Sequence, residues 1–576
     1  MLPVLPASPA DIADASWADL APLYQALADE PLTPSTVRAW LAAWSGVDSV
    51  VEEAYGVAMI AYTADTRDPK REAAYLRWAA DIAPKLHEVH VRLGRRLLPL
   101  EEELPDLAVL LRETRTDVAI FREENLPRMA ELEEMEAAYD KITGGLTVLW
   151  DGEEKTIPAL QPFLLDRDRA VRERAFRLGA GAYLGRRDEL ASLFDRMVRV
   201  RHALAREAGF ASYRDYAFAA KYRFDYTPDD CVRFHESVER VVLPAIRRLH
   251  EERRRRLGVD TLRPWDLQVH PTRATRLVPF QTTEEFLAGG QRIFDALDRQ
   301  FGGQFRTMVE EQLLDLESRP GKAPGGYCTR LPFRGKPFIF MNAVGVHDDV
   351  STLIHEAGHA FHAFATAHIP YLWQRSTGHE AAELASMTME LLAAPGLASP
   401  TGFYAPADAA DAQIEHLEDL LLGLPHIACV DAFQHWVYTE GIDASPEQRD
   451  AMWLRIRARF DPDVDYTGLE AERVARWYRQ SHIHTAPFYY IEYGIAQLAA
   501  LQVWRQSLHD PERALGRYKA ALALGGTRSL PEIYATAGAT VVLDADEMAP
   551  LVAEVERRIG ELRPVADAEA AATQSA

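Results

Sequence analysis

Only three of the 576 residues are cysteine: Cys231, Cys328 and Cys429, widely spaced and odd in number. That scarcity offers no disulfide framework and no cysteine-based zinc knuckle, and it fits a reducing compartment. No run of about 18 apolar residues occurs, so no membrane-spanning helix is expected. The opening Met1-Leu-Pro-Val-Leu-Pro6 has neither a basic region nor a continuous apolar stretch, which predicts a cytoplasmic protein. Positive charge is short as well. The 64 Lys and Arg stand against 87 Asp and Glu, a net charge of -23, which favours solubility and argues against nucleic acid as a partner. The one dense basic run, Arg253 to Arg256, follows Glu251 and Glu252 on a helical pattern and reads as a salt-bridged, solvated face.

What the chain has in quantity is helical periodicity. Residues 37–44, 190–208 and 231–257 all repeat their apolar positions at three and four, the last with a kink at Pro244. Strand signals are confined to two places. Residues 145–150 followed by Asp151-Gly152 signal a hairpin, and a second patch covers 327–342. Residues 101–106 and 319–326 are loop-like. The expected fold class is mainly α, with a small β-sheet ahead of residue 355. With 48% hydrophobic residues, a chain of this length buries ample core and divides into more than one lobe.

Residues 355–359 read His-Glu-Ala-Gly-His. On a helix, positions four apart share a face, so His355 and His359 can hold one Zn²⁺ while Glu356 stands beside a water as its base. Apolar residues at 353, 354, 357, 360, 361 and 364 give the period of a buried helix. Gly358 costs such a helix about 1 kcal/mol, tolerable where the backbone must pass close to another element. A hydrolytic zinc site needs three protein ligands and one open position. Residues 376–392 supply the third: a helix opened by Ser376 and Thr377 and followed by Pro395, with Glu380, Glu383 and Glu390 on related faces. Glu383 is the expected ligand. Glu390 is placed to hydrogen-bond a ligating histidine, with Glu380 as a further support.

The HExxH pattern, with Glu383 24 residues past His359 and a Glu-x-Ala-Ser-x-x-x-Glu run from 383 to 390, resembles the thimet oligopeptidase and oligoendopeptidase F family of zinc peptidases. Gly325-Gly-Tyr-Cys328, Pro337 to Asn342 and His482 to Gly494 extend the likeness. The resemblance implies one zinc per chain, held by His355, His359 and Glu383, with Glu356 activating water. It implies substrate contacts at Gly325, Gly326, Tyr327, Phe340, Asn342 and Tyr490, and catalytic donors among His482, His484, Tyr489 and Tyr493. In the family a histidine is followed by tyrosines five, nine and twelve places later. Counting from His484 gives Tyr489 and Tyr493 but Ala496 in the third place, and counting from His482 gives Pro487 in the first, so the register stays open. The family fold implied is a large helical ellipsoid with a deep substrate channel. Residues 1–190 would form one helical wall with the hairpin near 145–157, residues 191–563 the catalytic domain and 564–576 a frayed tail.

The function expected is hydrolysis of internal bonds in short unfolded peptides, with oligopeptides as partners, no membrane, and an open oligomeric state. Two other readings stand beside it. A zinc carboxypeptidase on the same motif would need a cationic group for the substrate carboxylate. A non-catalytic peptide-binding protein would leave Glu356 without a task, since structural zinc sites close all four positions with protein ligands.

Overall fold

Val37, Trp40, Leu41, Trp44, Val47, Val50, Val51 and Ala54 fall three or four apart, and the helix built on that period, Val37–Ala64, buries all of them. The same logic recurs along the chain. Helix accounts for 71% of residues and strand for 5%, the mainly α architecture that the periodicity predicts. The structure, a computed structural model, describes residues 2–273, 277–461 and 463–574, with side chains to residue 568.

Two compact units are built from interleaved segments. One comprises Met1–Phe121, Leu277–Ala412 and Ala496–Val541, and the other Arg122–Arg276, Gln413–Ile495 and Val542–Ala576. The expected boundary near residue 190 therefore marks no change of unit, because segments remote in sequence pack side by side. Residues 564–574, expected to fray, continue the helix Ala545–Gln574. There Asp567 takes both guanidinium nitrogens of Arg256, at 2.8 and 3.0 Å.

In the first unit, the amino-terminal helices enclose an aromatic core around Tyr24, Trp40, Trp44 and Trp78. A three-stranded sheet follows later in the chain: β3 (Leu314–Glu317), β4 (Tyr327–Leu331) and β5 (Lys336–Ala343), in the order β3-β5-β4. β5 pairs parallel with β3 and antiparallel with β4. The HExxH helix, His347–Thr366, packs on this sheet and on the helix His379–Ala393.

The second unit carries the hairpin β1 (Thr147–Trp150) and β2 (Glu153–Thr156). Its turn residues Asp151 and Gly152 both have positive φ, 52° and 85°, as a two-residue type I′ turn requires. Pro244 marks the expected break: Pro228–Ser237 ends in a π-helical stretch, Val238–Val242, and α-helix resumes at Leu243. Arg254 and Arg256 pair with Glu251 and Glu252, the salt bridges expected, but the face is not solvated throughout: Arg253 and Arg256 are half-buried, and Arg253 donates to the Val269 carbonyl. Deeper in this unit, Asp266 is fully buried between Arg169, at 2.6 Å, and Arg172, at 2.8 Å. The Arg263 backbone N–H also donates to it.

Two outcomes follow. A Cβ on Gly358 would stand 2.6 Å from Ser386 Cα and 2.7 Å from the Ala385 carbonyl oxygen, both backbone. Gly358→Ala gains about 1 kcal/mol of helix propensity but overpacks a backbone contact, a loss of about 1–3 kcal/mol. Its thermal midpoint is expected to fall. Gly181→Ala, at a helical glycine with open space around it, is expected to hold or raise the midpoint. Removing Asp266 as Asp266→Ala strands buried Arg172 and should cost about 3–5 kcal/mol at neutral pH. Burial alone would raise the Asp266 pKa, but the arginines and the Arg263 amide outweigh it and hold it below the usual carboxylate value. The stabilisation is thus complete above about pH 4 and is lost as pH falls through the folded value. Unfolding curves of variant and wild type should converge on acidification.

Candidate active site

The HExxH helix starts immediately after β5, and one side chain fixes where. Asp349 Oδ2 accepts the backbone N–H groups of Val344, Gly345 and Val346 at 2.8–2.9 Å, satisfying donors that a helix start leaves open. From that start, His355 and His359 come to one face and Glu356 turns inward, 8% exposed.

The close contact at Gly358 brings the second helix alongside, and with it Glu383. Donor atoms of His355, His359 and Glu383 lie within 4.8 Å of one another. Glu383 Oε2 is 3.5 Å from His355 Nε2 and 3.8 Å from His359 Nε2. Tetrahedral ligands about 2.0–2.2 Å from zinc stand roughly 3.4 Å apart, so the three fit one ion with little adjustment. Two imidazoles and one carboxylate are also the donor set that leaves a fourth position for water or substrate. His355 Nδ1 meets Glu390 Oε1 at 2.6 Å, which fixes the ring with Nε2 turned toward Glu383.

Three supporting groups carried no signal that the sequence reading used. Ser386 donates to Glu383 Oε2 at 2.9 Å; its offset of three from Glu383 could have revealed it. Tyr518 and Tyr534 donate to the carbonyls of Ala385 and Glu380, at 2.6 and 3.0 Å, from more than 130 residues away in sequence. Glu380 itself is buried in the first turn of the same helix.

Burial shapes the charges here. It is the largest influence on Glu356, pushing its pKa up to about 7, while the His355 charge and the Cys328 backbone amide act against it. His359 is driven well below the ordinary histidine value, again chiefly by burial. At His355 burial also disfavours the charged form, but the hydrogen bond and charge of Glu390 prevail and raise it to about 9.

The sheet beside the helix is only partly the wall expected. Tyr327 is half-buried, stacks on Phe340 at 4.8 Å and shares a hydrogen bond with Thr63, 2.7 Å. Phe340 is fully buried on the central strand, so it is a core residue and not a substrate contact. The Asn342 amide donates to the carbonyls of Ala323 and Gly325, both at 2.8 Å, so it shapes the glycine loop. Gly325 has φ of 92°, a conformation glycine adopts freely. Gly326 lies where a Cβ would meet the Phe340 carbonyl at 3.3 Å.

In the second unit, His482, Tyr489, Tyr490 and Tyr493 form one half-buried aromatic group. The His482 ring lies 5.7, 4.9 and 6.1 Å from those of Tyr489, Tyr490 and Tyr493. Of the two histidines, only His482 lies with the tyrosines. His484 is fully buried, stacked 4.2 Å from Tyr139 and packed on Phe194 and Trp477. It is a core histidine, and its expected catalytic role is withdrawn because nothing can reach it. The turn before Tyr489 is held by buried side chains. Phe488 has φ of 65°, a costly conformation for a bulky residue. Gln434 accepts its N–H at 3.1 Å and donates to the His482 carbonyl at 3.3 Å. Arg223 donates to the Phe488 carbonyl and, at 2.7 Å, to Glu492.

Known proteins share the fold of this chain. A solved structure described as a putative oligoendopeptidase F is 29% identical, with a TM-score of 0.87 over 94% of this chain and 96% of that one. A structure of PZ peptidase A with an inhibitor is 27% identical, with a TM-score of 0.86 over 98% of both chains. Oligopeptidase PepF of Bacillus subtilis is 23% identical over 402 residues, which are 67% of this chain and 57% of that protein. The match thus spans less than two thirds of that relative. The model of peptidase family M3 matches residues 163–547, which include both histidines, both glutamates of the HExxH site and the tyrosine segment. The chain belongs to peptidase family M3.

Proposed function

We propose that this protein is a zinc-dependent oligoendopeptidase that hydrolyses internal bonds of short, unfolded peptides in the cytoplasm. The observation that carries the reading is the convergence of His355, His359 and Glu383, with buried Glu356 beside them and Glu390 on His355. When bound there, a zinc ion polarises a carbonyl and makes water more acidic.

The chain's own residues account for the remaining work. Glu356 takes a proton from the attacking water and returns it to the departing amine, the two-way task of a carboxylate whose burial raises its pKa. Glu390 orients His355, and Ser386 orients Glu383. The phenols of Tyr489 and Tyr493, with the imidazole of His482 beside them, are assigned as donors to the oxyanion; this assignment rests on the family resemblance. β4 is an outer strand of its sheet, and its backbone groups are assigned to an extended substrate, which suits broad side-chain tolerance. The restriction to short peptides rests on the resemblance as well.

The test uses internally quenched peptides of graded length, blocked at both ends, with cleavage positions read by mass spectrometry. Internal cleavage that fades with length, stops on chelation and returns with zinc is expected. Stepwise trimming of free peptides with none of blocked ones would sink the endopeptidase reading in favour of a carboxypeptidase. Glu356→Gln should keep its metal yet lose about 10²–10⁴-fold in turnover. Tyr489→Phe or Tyr493→Phe should lower kcat by about 10²–10³-fold at whichever phenol serves the oxyanion; unchanged kcat in both would remove that assignment.

A further inference from the structure

A second cluster of metal-ligating side chains lies inside the second unit, away from the HExxH helix in sequence and built on a different pair of helices. Cys231 and His235 stand four apart on Pro228–Ser237, and Asp431 and His435 stand four apart on Pro406–Val437. Each pair therefore shares one helix face. Donor atoms of Cys231, Asp431 and His435 lie within 4.8 Å of one another. Asp431 Oδ2 is 2.8 Å from His235 Nε2 and 3.3 Å from His435 Nε2. All four residues are buried, Cys231 and Asp431 completely and His235 and His435 to 4% and 7% exposure.

Burial without partners is the second observation. His435 Nδ1 and Asp431 Oδ1 have no hydrogen-bond partner, and His435 Nε2 has only the 3.3 Å contact with Asp431 Oδ2. Buried polar atoms in folded proteins are almost always bonded, so two orphaned atoms in one cluster call for an occupant. Aromatic rings of Phe218 and Phe488 pack on the His435 side, at 6.0 and 5.4 Å. One thiol, one carboxylate and one imidazole within reach of one another match the donor preferences of zinc, and His235, 2.8 Å from Asp431 Oδ2, is the imidazole that would complete the four protein donors of a structural site.

We propose that Cys231, Asp431 and His435, with His235 as the fourth donor, bind a structural divalent zinc ion distinct from the one at the HExxH helix. Loading it deprotonates the Cys231 thiol, and the proton leaves to solvent as Zn²⁺ enters. The ion joins the two helices behind the Phe488 turn. Gln434, next to His435, holds the Phe488 N–H and the His482 carbonyl, so the bound metal steadies the segment that presents Tyr489 and Tyr493. The inference does not depend on peptidase activity.

The full-length protein purified from cobalt-supplemented medium provides the test, with metal content by mass spectrometry and absorption in the near ultraviolet. About two metal equivalents per chain are expected, together with a thiolate-to-cobalt charge-transfer band, which His and carboxylate ligands alone cannot give. His359→Ala should drop the content to about one and keep the band, whereas Cys231→Ser or His435→Gln should drop the content to about one and abolish it. Cys328→Ser should keep both. About one equivalent and no thiolate band in the wild type would overturn the proposal, as would a band that survives Cys231→Ser. The wild-type result stands even if a variant fails to fold.

Discussion

One backbone contact sets the terms for the candidate active site. Where the HExxH helix crosses its partner, Gly358 meets the Ala385 and Ser386 backbone at a separation that no side chain would permit. Only because the helices come so close can a glutamate, with its short reach, stand among two histidines of the neighbouring helix. Packing and chemistry share one cause here. The glycine that weakens its own helix brings the third donor into range, and the tyrosines at 518 and 534 brace the second helix by its carbonyls.

Both candidate clusters store unfavourable terms that neighbours offset. In the first unit these are carboxylates: buried Glu383 and half-buried Glu390 are satisfied by Ser386 and His355, and buried Glu356 is left with a raised pKa. In the second unit the cost lies in the backbone, a left-handed Phe488 pinned by Gln434 and Arg223. Strain of this kind persists only where the surroundings over-determine it, which fits a segment whose side chains must be presented in one orientation.

The convergence of His355 and His359 was legible because a helix converts a spacing of four into a shared face, and that of Glu383 because a carboxylate in an apolar helix needs a reason. The hairpin was legible from Asp151-Gly152. Phe340 was misread because a central strand covered on both faces loses the alternation that marks an exposed side. His482 and His484 could not be told apart from spacing alone. The choice is made by Tyr139 and Phe194, some 300 residues earlier, and by Trp477. Cys231 and Asp431 are 200 positions apart, so no local pattern announces that cluster. Unit boundaries were illegible for the same reason: they are drawn by contacts between distant segments.

That interleaving bears on how the chain can mature. It changes unit five times between its ends, and neither unit has all its segments until the last tenth of the sequence is made. Glu383 is synthesised about 150 residues before Tyr534; at about 5–20 residues per second the wait is roughly 8–30 s. During that interval the ligand helix lacks the hydroxyl that braces its first turn. A nascent chain therefore carries the Glu383 helix without this brace until Tyr534 has been made, and the spacing of His355, His359 and Glu383 is set only late in synthesis.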